Sequence, residues 1–381
     1  MRVPSMPRGQ DAPGLLYLHF HRRYLTINIM KKRRLAGVVL LLAAVLSSCG
    51  IKKTEEQQPA SPKTERITVG FSQVGSESDW RMASTASIQD AFADSPYTLL
   101  FNDGQQKQEN QIKAIREFID QDVDYIILDP CVETGWDSAL MEAKEAGIPV
   151  IVIDREVSVE DESLYTAWIG SDFYLEGQRA MKWLESYLQK ENYEEPLNLV
   201  GIQGTIGATA QIGRSRALEE AAAAHDNWTL LEEQTGDYTE AKGKEVMEEY
   251  LRKYKDEIQV VYCENDNEAY GAIDAIREAG KKVGMKIKDG EILVLSFDAT
   301  HGGLQLTMEG KIAVNTECSP LYGKRLVRMI DEMEQGELPE HHTYIEEGQF
   351  SNYSGIRAIW VVDNSYLVTR VTEELLEERE Y

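Results

Sequence analysis

Short apolar runs that alternate with amphipathic helical segments constrain this chain more than any other feature. Four runs of strand length come first, at residues 67–71, 97–101, 123–128 and 150–153. The segments between them have the helical period, and residues 105–121 carry one apolar stripe through Ile112, Ile115, Phe118 and Ile119. This alternation predicts an α/β fold in which helices cover both faces of a parallel sheet.

The same alternation restarts in the second half of the chain. Predicted strands lie at 198–202, 228–234, 260–263 and 292–297, and predicted helices at 176–189, 213–224, 241–254 and 269–279. The chain therefore predicts two α/β halves, each of ordinary domain size. Residues 303–381 are too few for a third domain, so we expect them to return and complete both halves, with an acidic, peripheral helix at 371–381.

Polar side chains follow these predicted strands. In open parallel sheets, ligands bind beyond the carboxyl ends of the strands. Those positions hold Ser72-Gln73, Asn102-Asp103, Asp129, Asp154-Arg155, Gln203-Gly204, Glu264-Asn265-Asp266 and Asp298. Carboxylates, amides and guanidinium groups form directional hydrogen bonds with neighbouring hydroxyls, so the set favours a carbohydrate site. A single strand-end Asp or Asn is also typical of helix caps and turns.

The distribution of charge excludes two classes of partner. The chain has 65 acidic and 40 basic residues, a net charge of −25. Residues 1–49 hold eight basic residues and one acid, which leaves 32 basic and 64 acidic residues, a net of −32, in 50–381. A body this acidic has little attraction for nucleic-acid phosphates or for anionic lipid.

The basic residues near the start precede an apolar run. Lys31–Arg34 are followed by apolar residues 35–46 and then by Leu46-Ser-Ser-Cys49, which resembles the lipobox of bacterial lipoproteins. We predict a lipoprotein signal peptide at 30–49, with lipidated Cys49 holding the protein at the extracytoplasmic face of the cell membrane. An ordinary signal peptide with an incidental Cys is the alternative.

The flanks of this signal have simpler interpretations. A signal peptide normally starts with its basic region, so we hypothesise that Met30 is the true start and that 1–29 is a non-native upstream segment. Residues 50–66 are polar, contain two Pro and lack periodicity, which predicts a flexible tether.

Nothing in the chain predicts a metal or a cofactor. Cys131, Cys263 and Cys318 are widely spaced, without CxxC or a His at zinc-ligand spacing. No GxxxxGK[ST] phosphate loop or calcium loop occurs. The three thiols could be buried or could pair, and the sequence leaves both open.

Several segments together resemble a known family. They are 69–81 (VGFSQVGSESDWR), 103–112 (DGQQKQENQI), Asp154-Arg155, 203–207 (QGTIG), 236–238 (GDY), 242–247 (KGKEVM) and Asn265-Asp266. The chain is similar over 66–345 to periplasmic sugar-binding proteins of ATP-binding-cassette importers, of the ribose/galactose type and above all to galactofuranose-binding members.

The resemblance implies a type I periplasmic-binding-protein fold, with two Rossmann-like lobes joined by a three-segment hinge. The first lobe would comprise 67–172 and 317–345 and the second 173–316, with 346–381 completing the lobes. The ligand would lie in the cleft between the lobes.

The resemblance also implies the ligand-binding residues. They are Glu77, Ser78, Asp79, Trp80, Arg81, Asp154, Arg155, Arg214, Tyr238, Asn265, Asp298 and, at a crossover, Glu317. Trp80 would stack on the sugar, Arg81 and Arg155 would donate paired hydrogen bonds, and Asp154 and Asp298 would accept them. Asp79 departs from the family, which has Gly there, and the segment around Arg214 matches more loosely.

The implied function is capture of a galactofuranose-like monosaccharide by a monomer, which then delivers it to a membrane permease. A sensor that presents its closed form to a membrane receptor is an alternative. A glycoside hydrolase is a second one, since Glu77, Asp79, Asp154 and Asp298 could include an acid/base pair. A transcriptional repressor would need a DNA-binding head, and here an export signal precedes the body.

Overall fold

The computed structural model describes residues 66–381. The predicted signal peptide 30–49 with Cys49, the upstream segment 1–29 and the tether up to residue 65 lie outside the described residues. Within 66–381, no helix is both long enough and apolar enough to cross a lipid bilayer.

The described chain alternates strands and helices. The strands are β1 (Thr68–Gln73), β2 (Thr98–Asp103), β3 (Tyr125–Leu128), β4 (Val150–Ile153), β5 (Ala167–Gly170), β6 (Leu197–Gln203), β7 (Trp228–Thr235), β8 (Val260–Cys263), β9 (Leu293–Asp298), β10 (Val314–Glu317), β11 (His342–Tyr344), β12 (Gln349–Phe350), β13 (Ala358–Val361) and β14 (Asn364–Leu367). The helices are α1 (Asp79–Ala93), α2 (Gln108–Asp120), α3 (Asp137–Ala146), α4 (Phe173–Glu191), α5 (Thr209–Ala224), α6 (Glu240–Tyr254), α7 (Asp266–Glu278), α8 (His301–Met308), α9 (Gly323–Glu334) and α10 (Glu373–Glu377).

The strands form two six-stranded sheets and one short pair. The first sheet has the order β11-β5-β4-β3-β1-β2 and is parallel throughout. The second has the order β12-β10-β9-β8-β6-β7, and its only antiparallel strand is β12. Each sheet with its helices forms one lobe, called the first and the second lobe below. β13 and β14 pair with each other.

The continuous apolar runs form central strands because both faces of each sheet are covered. In β3, Ile127 packs into one core with Ile88 of α1, whereas Ile126 packs into the opposite core with Ile115 of α2. Successive side chains of a strand point to opposite faces, so a strand between two helical layers must be apolar at every position.

The chain crosses between the lobes three times. The first crossover joins β5 to α4 through Ser171, the second joins β10 to α9 through Cys318, and the third joins β11 to β12 through Glu347. These crossovers form the hinge.

The structure differs from the sequence expectation at the C-terminal end. Residues 346–381 were expected to complete both lobes, but β12 joins the second sheet and α10 packs on α8, also in the second lobe. The last helix is shorter than 371–381, and the residues after it are not peripheral. Arg379 and Tyr381 instead bond to Glu317 at the end of β10, because its largely buried carboxylate needs a cation and a hydroxyl donor.

Candidate functional site

A cavity of about 290 Å³, including its opening to solvent, lies between the two lobes. Ten sequence-predicted residues line it: Glu77, Ser78, Trp80, Arg81, Asp154, Arg155, Arg214, Tyr238, Asn265 and Asp298. They meet because the carboxyl ends of the parallel strands in both sheets face the cleft.

Three lining residues have left-handed backbone conformations. The φ angles are 59° at Asp154, 62° at Tyr238 and 91° at Asp298. Such conformations are unfavourable for residues with a Cβ atom, and they are retained mainly where a function requires them. Each of these residues lies at or just after a strand end, where the turn directs its side chain into the cleft.

Arg81 organises the wall contributed by the first lobe. Its Nε atom donates to Glu77 at 3.0 Å and one Nη atom donates to Asp154 at 3.1 Å, while the other Nη atom bonds to Gln73 and Asp129. All three nitrogens therefore already have protein acceptors. Arg81 lines the cavity, and these contacts also hold the surrounding acids in place.

Arg155 is the less satisfied arginine of the first lobe. One Nη atom donates to the carbonyl of Cys131 at 2.7 Å, but the Nε atom has no hydrogen-bond partner within residues 66–381. The Glu77 Oε2 and Tyr238 Oη atoms are also buried without a partner in the described chain. A buried polar atom without a partner costs free energy, so a ligand with several hydroxyls would satisfy donors and acceptors together.

Arg214 is the central cation of the second lobe. It bonds through Nε to Glu176 at 2.8 Å and lies 3.6 Å from Asp298, and it donates to the backbone carbonyl of Glu264. Glu176 is in α4, directly after the first crossover. The principal partner of Arg214 therefore lies next to the hinge.

The acids of the second lobe are held in an environment that favours their neutral forms. Burial raises the pKa of Glu264 to about 8, against the opposing effect of bonds from Ser215 and the Gly204 backbone. Burial likewise raises the pKa of Asp298, opposed by Arg214. These carboxyl groups can therefore donate as well as accept hydrogen bonds near neutral pH.

Aromatic rings complete the cavity wall. Trp80 is 4% exposed, its Nε1 atom donates to the carbonyl of Cys318 at 2.7 Å, and the Arg81 guanidinium lies 4.6 Å from its ring centroid. The ring of Tyr238 packs directly against Gly204, where a Cβ atom would lie 1.9 Å from the ring. Gly204 is thus required by the aromatic wall and not by a phosphate.

Hydrogen bonds join the lobes at the rim of the cleft. The Asp79 amide donates to Asn267 at 3.1 Å, the Glu133 amide to the Gly207 carbonyl at 3.0 Å, and the Glu156 amide to the Thr209 hydroxyl at 2.8 Å. Opening of the cleft must break these bonds, so the structure is a closed form.

Two predicted residues do not line the cavity. The Asp79 side chain is exposed, because Asp79 begins α1 at the rim and contributes its backbone amide to the contact between the lobes. Glu317 faces away from the cavity and bonds to Arg379 at 2.7 Å, to Tyr381 at 2.8 Å and to the Gly348 amide. Glu317 lies beside the second crossover, as the resemblance implies, but the C-terminal residues bond to its carboxylate.

Three lining residues escaped the sequence analysis: Phe173, Ala210 and Cys318. Phe173 and Cys318 lie at crossovers, so the predicted lobe boundaries next to them could have indicated these two residues. Cys131, Cys263 and Cys318 are buried free thiols. The sequence left open whether these thiols are buried or paired, and the structure shows that they are buried and unpaired.

Comparison with known proteins gives a consistent picture. Residues 69–338 match the family model described as a periplasmic binding protein domain. The chain is 41% identical over 280 residues to the galactofuranose-binding protein YtfQ of Escherichia coli, covering 73% of this chain and 85% of that protein.

Two solved structures are also similar. One, from Mycobacterium smegmatis in complex with β-D-fucofuranose, is 40% identical with a TM-score of 0.71, covering 76% of this chain and 92% of that one. The other is the periplasmic binding protein component of an arabinose ABC transporter from Shewanella sp. ANA-3, bound to α- and β-L-arabinofuranose. It is 39% identical with a TM-score of 0.70, covering 76% of this chain and 93% of that one.

Proposed function

The chain belongs to the periplasmic binding protein family, and from this premise we propose that it captures one monosaccharide in furanose form between its lobes. The family assignment agrees with the predicted resemblance and with the type I fold. The relatives named above are sugar-binding transport proteins and not enzymes, which argues against the glycoside hydrolase.

The unpartnered atoms in the cavity carry the proposal. Arg155 Nε offers a donor, Glu77 Oε2 offers an acceptor, and Tyr238 Oη offers both. A sugar ring presents hydroxyls that both donate and accept at short, fixed spacing, so one ligand can satisfy all three. The furanose form is supported by the ligands of both similar structures.

Binding is coupled to closure of the cleft. A sugar that contacts Arg155 in the first lobe and Arg214 in the second is bound fully only when the lobes are closed. The ligand therefore shifts the equilibrium towards the closed form in proportion to its preference for that form. We propose that the closed protein then presents both lobes to the permease of an ATP-binding-cassette importer.

Attachment to the membrane is a separate part of the proposal. The basic, apolar and Leu-Ser-Ser-Cys segments at 30–49 support a lipid on Cys49 that holds a monomeric binding protein close to the permease. Expression of the full chain and of Cys49→Ala, followed by membrane fractionation, tests the anchor. We expect the wild type in the membrane fraction and the variant in the soluble extracytoplasmic fraction; equal partitioning would contradict the anchor.

A panel of sugars tests ligand binding. D-galactose, L-arabinose, D-fucose, D-ribose and D-fructose are added separately to the full chain, and thermal unfolding is followed. A ligand at 100 times its Kd adds about 2.7 kcal/mol to the free energy of unfolding. We expect a clear rise in Tm with D-galactose, L-arabinose or D-fucose. If no sugar raises the Tm, the proposal is wrong.

The Arg155→Gln variant is the matched site control, and Arg116→Gln is the surface control. Arg155 lines the cavity, whereas Arg116 makes an exposed ion pair with Glu142. The rise in Tm should be much smaller in the first variant than in the wild type and should be unchanged in the second.

A further inference from the structure

Two carboxyl groups meet where the three crossovers of the hinge converge. Glu176 stands just after the first crossover and Glu347 lies in the third. One oxygen of each carboxyl and the Sγ atom of Cys318, in the second crossover, lie within 4.8 Å of one another. Glu176 is 1% exposed, and its Oε1 atom has no hydrogen-bond donor among the residues described.

Glu347 accepts hydrogen bonds from the other two crossovers. Its Oε1 atom accepts a bond from the Ser171 hydroxyl at 2.7 Å and another from the Ser319 amide at 2.7 Å. Ser171 belongs to the first crossover and Ser319 to the second. A single carboxyl group of the third crossover therefore holds the other two.

Glu176 connects the same point to the ligand site. Its Oε2 atom lies 2.7 Å from an Nη atom of Arg214, and Arg214 lines the cavity. One oxygen of Glu176 thus faces the hinge and the other orients a cation of the cleft. The two carboxyl groups approach each other to within 4.8 Å.

The surroundings of the pair favour one proton between the two carboxyl groups. Glu176 and Glu347 face the guanidinium groups of Arg214 and Arg179. Asp298 also lies near Arg214, but burial favours its neutral form, and Glu317 is neutralised by Arg379 at 2.7 Å. Two adjacent buried carboxylates cannot both ionise without a large cost in free energy.

We propose that Glu176 and Glu347 share one proton in the closed protein, and that this proton couples the hinge to the ligand site through Arg214. The inference rests on the proposed function, because it describes how that binding site is regulated. Glu176 is a positioning residue: it holds Arg214 in place. Burial and the neighbouring carboxyl group raise the pKa of Glu347, and burial raises that of Glu176.

The direction in which pH changes the sugar affinity follows from these raised pKa values. The proposal requires that opening of the hinge separates the two carboxyl groups and admits water to them, so that their pKa values return towards the ordinary range. The closed form therefore holds a proton that the open form releases. The closed, liganded form should become less favourable as the pH rises from the pKa of the open form through that of the closed form, by at most about tenfold in affinity per pH unit.

Calorimetric titration of the full chain tests the proposal, with whichever of D-galactose, L-arabinose and D-fucose gives the largest rise in Tm. Titrations in phosphate and in Tris at each pH from 5.5 to 8.5 count the protons taken up. We expect uptake approaching one proton and an affinity that falls as the pH rises. Flat affinity without proton uptake would overturn the proposal.

The Glu347→Gln variant mimics the protonated pair. The amide oxygen of Gln can accept from Ser171 and Ser319, and its NH₂ group can donate to Glu176 without titrating. We expect affinity close to that of the wild type at pH 5.5, no proton uptake and higher affinity than the wild type at pH 8.5. If the affinity of this variant fell with rising pH as steeply as that of the wild type, the proposal would be overturned.

Glu233→Gln is the matched control. Glu233 lies on β7, away from the hinge, and burial raises its pKa to about 7. Its replacement should leave the proton uptake on binding unchanged. Should Glu347→Gln fail to fold, Ser171→Ala removes one donor to Glu347, and the fall in affinity should move to higher pH.

The same titrations separate this inference from the proposed function. A sugar that binds without proton uptake, and with an affinity that does not change between pH 5.5 and 8.5, would overturn the shared proton and leave the proposed function standing. Absence of binding by every sugar would overturn the proposed function and, with it, the inference that rests on it.

Discussion

The two lobes hold their central arginines in different ways. Arg81 bonds to acids that all belong to the first lobe: Glu77, Asp129 and Asp154. Arg214 bonds to one close acid of its own lobe, Glu176, in the first turn of α4 beside the first crossover, and lies 3.6 Å from Asp298. The first lobe therefore holds its arginine with three close acids, whereas the second lobe holds its arginine with one close acid, which lies next to the hinge.

Removal of the two arginines should have the largest effect and should differ between the lobes. Arg81→Met leaves three buried carboxylates without their cation, and we expect a loss of about 5 kcal/mol in the free energy of unfolding. Arg214→Met leaves fewer acids at close range, so we expect about 3 kcal/mol. Urea unfolding at pH 7 measures both.

Arg116→Met is the control for these two variants. Its ion pair with Glu142 is exposed, and such pairs contribute no more than about 1 kcal/mol. Equal losses of stability in Arg81→Met and Arg214→Met would contradict the difference between the lobes.

Arg155→Met should lower sugar affinity and should cost less stability than Arg81→Met. The Nε atom of Arg155 has no partner in the described chain, and one Nη atom donates to the Cys131 carbonyl at 2.7 Å. A hydrogen bond from a charged donor contributes about 1.5–3 kcal/mol, so sugar affinity should fall by roughly 10- to 100-fold, which calorimetric titration measures. Loss of the single bond to Cys131 should cost about 1–3 kcal/mol in the free energy of unfolding. A loss as large as that of Arg81→Met would show that Arg155 has the same structural role as Arg81.

Trp80 should give the smallest effect, since it connects the first lobe to a crossover by a single bond. Trp80→Phe keeps an aromatic ring but removes the donor to the Cys318 carbonyl. We expect this lost bond to cost about 1 kcal/mol in the free energy of unfolding, which urea titration measures.

Trp183→Phe is the matched control for the loss of ring volume. Trp183 is fully buried in α4, and its Nε1 atom has no hydrogen-bond partner within the described chain. The same substitution there changes packing without removing a hydrogen bond. A loss for Trp80→Phe no larger than that for Trp183→Phe would contradict a role for the Trp80 bond in the hinge.

Strand ends predict part of the site. Asp154 and Asp298 follow apolar runs, and parallel strands bring such ends to one edge of each sheet. Other lining residues, such as Trp80, are implied only by the family resemblance. Glu317 is also implied by the resemblance, but two residues of the C-terminal segment, far along the chain, bond to its carboxylate.

The proximity of Glu176 and Glu347 at the hinge could not be predicted, for a related reason. Glu176 and Glu347 are 171 positions apart, and neither lies at the end of a strand of the predicted lobes. Their proximity requires three crossovers to converge, a tertiary arrangement that no local pattern encodes. The helices and central strands were easier to predict, because the spacing of apolar residues such as Ile112, Ile115 and Phe118 directly indicates which face of an element is buried.

The discontinuous path of the chain also has a consequence for biosynthesis. The first sheet lacks its edge strand β11 until Tyr344 has been made, and the second lacks β12 until Phe350. Until α9 is synthesised, the apolar side of α1 has no covering layer in the first lobe. A ribosome must therefore finish nearly the whole polypeptide before either lobe can complete its core, and such a nascent chain remains suited to passage through a translocation channel in an unfolded state.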